Sequence, residues 1–184
     1  MLKNNVFEFD NKYYKQIVGC AMGQVPSPSC SDLLMATILD EVTNRFPAMK
    51  HFLYHGRYRD DGFMIFKARD EDIRDFFTLA NPHTEGVKFT FAISDNEATF
   101  LDITAFKGER VRNSGHLDIK MYRKPTEMFQ YLHRHSAHPQ AVFNGLSKGE
   151  TIRITRNCSN PKDRDNQIQL FHGKLAARGY KPTE

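Results

Sequence analysis

Between Val6 and Ile17, apolar and polar residues alternate around the pair Asp10-Asn11. This period of two, broken by a turn dipeptide, predicts a β-hairpin. The stretch GCAMGQVPSPS follows with two Gly and two Pro, and leads into Leu34, Met35, Ile38, Leu39 and Val42. That i, i+3, i+4 spacing predicts an amphipathic helix over 31–46, with Ser29 or Ser31 as N-cap and Pro47 as its stop. Aromatic and branched residues then flank Asp60-Asp61-Gly62, predicting a second hairpin over 52–67 with the two aspartates at its tip. Asp70 is placed to cap a helix whose apolar face is Ile73, Phe76, Phe77 and Ala80, ended by Asn81-Pro82. Three strand-like runs come next, at 87–93, 98–106 and 115–124, with Asp95-Asn96 and Asn113-Ser114-Gly115 as turns.

Beyond Pro125 the alternation stops. His138-Pro139, Gly145, Asn160-Pro161 and Gly179 punctuate short helical stretches, among them 149–156 and 166–178. Strand hairpins interleaved with helices and followed by a meander make an α+β pattern, to which a small all-α appendage is attached. The expected boundary is Lys124-Pro125, separating 1–124 from a helical region at 125–184.

Composition narrows the class. With 40% hydrophobic and 12% aromatic residues, 15 of them Phe, the 184-residue chain can build a core and is not a disordered polymer. No apolar run is long enough to span a bilayer and no signal peptide is visible, so the expectation is a soluble intracellular protein. Cys20, Cys30 and Cys158 are spaced too widely for a disulfide framework or a metal knuckle. Charge is divided unevenly. Residues 1–106 hold 11 Lys and Arg against 15 Asp and Glu, a balance of −4, whereas 107–184 hold 15 against 7, a balance of +8. A basic region interleaved with Tyr122, Phe129, Tyr131, His133, His135 and Phe143 is the footprint of a phosphate-backbone contact, the alternative being a solvated basic face.

Asp60 and Asp61 carry the candidate chemistry of the N-terminal part. Adjacent carboxylates repel, and a divalent cation relieves that repulsion; Mg²⁺ takes one or two carboxylates together with substrate phosphates. Asp-Asp-Gly is also the composition of a simple exposed turn. In context, Tyr58-Arg59-Asp60-Asp61 between apolar strands resembles the Tyr-x-Asp-Asp box of reverse transcriptases. The runs GxAMGxxxSP, RYxDDxFxIF, TFLDI, MYRKPTxxxxYLHxxSxHP and RGYKP, in that order, resemble the polymerase of Penelope-like retroelements, reverse transcriptases related to telomerase. The resemblance covers nearly the whole chain.

The resemblance implies a partial reverse-transcriptase palm followed by a helix-turn-helix-like thumb, and RNA-directed DNA synthesis by two-metal nucleotidyl transfer. Asp60 and Asp61 would hold Mg²⁺ or Mn²⁺, and Tyr58 would lie under the primer end or incoming nucleotide. Gly23, Gln24, Ser27 and Pro28 would line the loop where nucleotide and template meet. Asp102 is read as structural. The partners implied are an RNA template, a DNA primer, deoxynucleoside triphosphates and an N-terminal fingers and palm segment, with a nuclear location and no membrane. This chain departs from the family in reading Gln24-Val25-Pro26-Ser27-Pro28 where Ser-Pro-Leu-Ser-Pro is favoured. The further aspartate that completes the family's metal site would stand upstream of Met1, so the chain alone is expected to be inactive.

In the basic tail, Arg123, Lys124, His133, His135, Arg153 and Arg156 are the expected contacts to the nucleic-acid backbone. His133, His135 and His138 are assigned to packing and phosphate contact rather than to zinc, because no cysteine lies near them. Ile152, Arg153, Ile154 and Arg156 on one helix, and Leu170, Phe171 and Leu175 on the next, are joined by the polar turn Ser159-Asn160-Pro161. Two other readings stay open: a non-catalytic helix-turn-helix module that binds nucleic acid, and a decayed copy of a retroelement.

Overall fold

The computed structural model describes residues 5–45, 52–81, 86–128 and 130–181. The chain divides into two compact units, Met1–Ala92 and Ile93–Glu184.

The N-terminal unit opens with strands β1 (Val6–Phe9) and β2 (Lys12–Lys15), paired antiparallel with Phe9 opposite Lys12. Asp10 and Asn11 form the expected two-residue turn, both left-handed at φ 51° and 57°. Their short polar side chains tolerate that region, and its twist matches the strands. Helix α1 (Ser27–Arg45) starts earlier than its apolar periodicity indicates, so Ser29 and Ser31 lie inside it and cap nothing. Pro28 explains the early start, since the first helical turn needs no N–H donor from it. The helix buries Ile38 and Val42, one turn apart. Pro47 and Pro82, expected to stop the two helices, and Phe129 lie outside the described residues.

Strands β3 (Phe52–Tyr58) and β4 (Asp61–Phe66) pair with Tyr58 opposite Asp61. The tip is therefore Arg59-Asp60, with Asp61 and Gly62 already in β4, one step from the expected Asp60-Asp61-Gly62. Arg59 takes the left-handed conformation at φ 54°, and its carbonyl accepts a bond from Arg57 Nη1 at 2.7 Å. Helix α2 (Asp70–Ala80) buries the expected face, Ile73, Phe76, Phe77 and Ala80. Asp70 does not cap it: the residue at that position is Arg69, whose side chain bonds Asp72 instead. Asp70, Glu71 and Asp72 fill the first turn, where negative charge complements the helix dipole. The 87–93 run forms no ladder among the described residues. Asn81 holds it by both ends of its amide, accepting from Phe89 N at 2.7 Å and donating to Phe89 O at 3.1 Å. Phe77 stacks on Phe91 at 4.4 Å.

The second unit is a three-stranded antiparallel meander with two long helices. Strands β5 (Glu97–Phe100) and β6 (Ile103–Phe106) come from the single run 98–106, which turns back on itself at Leu101-Asp102, with Leu101 at φ 53°. Helix α3 (Glu109–Ser114) replaces the expected turn at Asn113-Ser114-Gly115. Gly115, at φ 70°, ends it in the left-handed conformation that glycine adopts without penalty. Strand β7 (Asp118–Met121) pairs with β6. Helix α4 (Gln140–Asn157) runs through Gly145 and Gly149, and α5 spans Pro161–Ala176, both longer than expected. An interior glycine costs a helix only about 1 kcal/mol, which tertiary packing overrides. The core comprises Met121, Phe143, Ile154, Cys158, Phe171, Leu175 and Tyr180. Because Met121 belongs to β7, the meander shares this core with the helices, on the far side of Lys124-Pro125. The molecule is thus an α+β protein with small antiparallel sheets and a C-terminal helical region.

Candidate nucleic-acid interface

Three residues, Cys158-Ser159-Asn160, connect α4 to α5. The geometry is fixed from both sides. Asn160 caps α5 by accepting a bond from Lys162 N at 2.9 Å, and Pro161 occupies the first helical position. Ser159 pairs with the edge of β7: its N–H donates to Ile119 O at 2.9 Å, and its Oγ accepts from Ile119 N at 3.0 Å. The same hydroxyl donates to the buried Asp118 carboxylate at 2.7 Å. Buried Cys158 packs in the core. At the other end, Tyr180 N bonds Leu175 O and Gly179 N bonds Ala176 O, with Gly179 left-handed at φ 86°. This is a Schellman closure. It returns the chain to the segment before α4, where Tyr180 Oη donates to Leu132 O at 3.0 Å and Arg178 Nε to Tyr131 O at 2.7 Å. The runs MYRKPT, YLH and RGY thus supply Met121, Tyr131, Leu132, Arg178, Gly179 and Tyr180 to one interlocked core.

Glu150 of α4 is the electrostatic centre. It accepts from Arg123 Nη2 at 2.7 Å and Tyr131 Oη at 3.2 Å, and pairs with Arg153 Nη1 at 3.3 Å. Burial alone would push the Glu150 carboxyl upward; the bonds from Arg123 and the charge of Arg153 outweigh it and hold it below the usual carboxylate range. Burial and the neighbouring carboxylate raise the Tyr131 phenol. Arg123, with its side chain 8% exposed, also pairs with Glu127 at 3.0 Å and donates from Nε to Gln167 of α5 at 3.0 Å. Arg153 reaches Asp102 in the β5–β6 turn at 2.9 Å.

The cations expected on the backbone interface therefore divide into two groups. Arg123 and Arg153 are engaged in tying β7, α4, α5 and the β5–β6 turn together. Lys124 and Arg156 are exposed, and neither has an ion pair among the described residues. His133 and His135 are exposed and sit with ring centroids 5.6 Å apart, and the His135 N–H donates to His133 Nδ1 at 3.3 Å. His138 Nδ1 lies 3.2 Å from Ser136 Oγ. No three His, Cys, Asp or Glu side chains gather as a metal-ligand set among the described residues. Sequence reading did not single out Lys148 and Lys162, which are exposed on α4 and α5, or Glu150, Gln167 and Asp118, whose partners lie far away along the chain.

In the N-terminal unit the loop before α1 turns at Gly19 and Gly23, both left-handed at φ 81° and 86°. Pro28 stands in the first turn of α1. Ser27 is buried, and its Oγ and Gln24 Oε1 are buried polar atoms without a hydrogen-bond partner among the described residues. Asp60, Asp61 and Tyr58 are exposed at the β3–β4 turn. Arg57 braces that turn by pairing with Asp32 of α1 at 3.1 Å. Carboxylate oxygens are suitable donors for a hard divalent cation, and an exposed two-residue turn leaves room for substrate phosphates beside them.

Residues 130–184 match the family described as the animal helix-turn-helix domain. The match takes in the Tyr131-Leu132 segment, α4, the three-residue turn, α5 and the Gly179 closure. No curated protein and no solved structure matches the chain. No described helix is long and apolar enough to cross a membrane.

Proposed function

We propose that the chain binds nucleic acid through its C-terminal helix-turn-helix region. The observation that carries this reading is the α4–turn–α5 unit within the matched residues, whose three-residue turn is of helix-turn-helix length, in the half of the chain that holds the positive charge. Binding driven by phosphate neutralisation releases counterions, so affinity falls steeply with salt. Titrating a fluorescent 20-base-pair duplex with the full chain at several salt concentrations tests it. Several phosphate contacts give a steep log–log slope, and a flat response rejects the reading.

A second reading is favoured by one specific observation. The two buried side-chain atoms left without partners among the described residues, on Gln24 and Ser27, belong to the residues that the resemblance to Penelope-like reverse transcriptases assigns to the nucleotide and template loop. In this reading the first unit is part of a polymerase palm. Gln24 and Ser27 orient the incoming deoxynucleoside triphosphate, Tyr58 supports the primer end, and Asp60 and Asp61 hold Mg²⁺ or Mn²⁺. The ion, when bound, neutralises the phosphates during nucleotidyl transfer. The helical region then grips the RNA template and DNA primer through their backbones. Templated incorporation tests the assignment. Asp60→Asn in a polypeptide that carries this region and supports templated incorporation abolishes synthesis while sparing duplex affinity. Synthesis by the Asp60→Asn variant rejects the metal site.

A further inference from the structure

Helix-turn-helix proteins ordinarily read the major groove with the N-terminal residues of their second helix, the first crossing the backbone. The charge distribution here points elsewhere. After Pro161, helix α5 continues Lys162-Asp163-Arg164-Asp165, so each cation has an acid beside it in sequence, and Arg164 lies 3.4 Å from Asp165. A phosphate approaching the start of the helix meets Asp163 in the first turn and Asp165 just beyond it. The charged residues of α4 are Lys148, Glu150, Arg153 and Arg156. Glu150, the single acid among them, is turned inward with its side chain 10% exposed, and Arg153 is paired with Glu150 and Asp102.

What α4 offers to solvent is therefore Lys148 and Arg156, both exposed and neither in an ion pair among the described residues. At 100° per residue they fall within about 80° of each other, on the side of the helix opposite Phe143 and Ile154. Their separation along the axis is about 12 Å, a span of three to four phosphates on one strand at about 3.4 Å each.

We propose that the outer face of α4, through Lys148 and Arg156, is the surface that meets the phosphate backbone of a nucleic-acid duplex, and that the first turn of α5 is held away from phosphate. This rests on the nucleic-acid reading above and assigns its contact face. Neither cation braces the fold, so replacing both leaves the core and the Glu150 network in place.

The test uses the full chain and a 20-base-pair duplex of arbitrary sequence, prepared as DNA and as an RNA–DNA hybrid. Lys148→Gln with Arg156→Gln is expected to weaken binding about tenfold at low salt and to reduce the log–log salt slope by about two, one per lost contact. Lys162→Gln is expected to change affinity less than threefold. Unchanged thermal unfolding of both variants shows that folding is not the cause. Full affinity and slope in the double variant, or a larger loss in Lys162→Gln, overturns the α4 assignment while the nucleic-acid reading stands. Failure of the wild-type chain to bind either duplex overturns both.

Discussion

Phe7, Phe9, Tyr13, Ile17 and Val18 in the N-terminal unit are 52–91% exposed, whereas Ile154 and Phe171 in the C-terminal unit are 0% and 1% exposed. Each unit holds antiparallel strands and helices from the same chain, so the difference lies in what the strands are given to pack on. Strands β1 and β2 form a sheet of two with every residue exposed, and β3–β4 is again a sheet of two. A two-stranded sheet in water is marginal by itself. The meander β5–β6–β7 instead places Met121 under α4 and α5, and its β5–β6 turn and its β7 edge are bonded to α4 through Arg153–Asp102 and to the inter-helix turn through Ser159–Ile119. Small sheets become firm when a helix pair covers one face and side chains close the loops.

The sharpest way to break this contrast is to remove one ring from each unit. Phe171→Ala is expected to destabilise the C-terminal unit by about 3–5 kcal/mol, the usual cost of a fully buried aromatic. Phe9→Ala, at a residue 70% exposed, is expected to change stability by less than about 0.5 kcal/mol. Urea unfolding followed by circular dichroism compares them, and equal effects would show that exposure does not separate the two units.

Next in size is the Glu150 network. Glu150→Ala leaves the Arg123 guanidinium, 8% exposed, without its shortest partner, for an expected loss of about 3 kcal/mol. The network also has a pH signature. Because the Glu150 carboxyl is lowered in the folded state, its contribution is complete above the unfolded value near 4.3 and fades as pH falls through the lower folded value. Urea midpoints from pH 6 down to pH 3 should drop more steeply for the wild type than for Glu150→Gln.

A smaller effect than the loss of Glu150 has the opposite sign. A Cβ at Gly145 or Gly149 meets nothing within 4 Å, and both residues are helical. Gly145→Ala and Gly149→Ala should each stabilise the C-terminal unit by up to about 1 kcal/mol. Thermal unfolding checks it, and a loss of stability would mean that α4 is more crowded than the packing of Phe143 and Ile154 indicates.

Elements were legible in the sequence where one local pattern decided them. The spacing of Ile73, Phe76, Phe77 and Ala80 located the buried face of α2, though not its cap, and the turn pair Asp10-Asn11 located the first hairpin. Patterns failed where a single residue had two uses. Gly145 looks like a break and Gly149 like the start of a helix, but both are carried inside α4 by its packing. Asn113-Ser114-Gly115 looks like a hairpin turn, but Gly115 closes a helix. The turn between α4 and α5 was visible one residue late, at Ser159-Asn160-Pro161 rather than Cys158-Ser159-Asn160, because capping residues are local. The roles of the arginines were not, since Arg123 and Arg153 look like free cations until folding brings Glu150, 27 positions beyond Arg123, against both.

The bonds between Ser159 and Ile119 make the inter-helix turn a one-residue extension of the sheet on the side of β7 away from β6. A rotation of α5 relative to α4 has to break that pairing or drag the meander with it. The Ser159 and Ile119 amides should therefore exchange with deuterium in step. In mechanical terms the sheet is the stator against which the two helices are set.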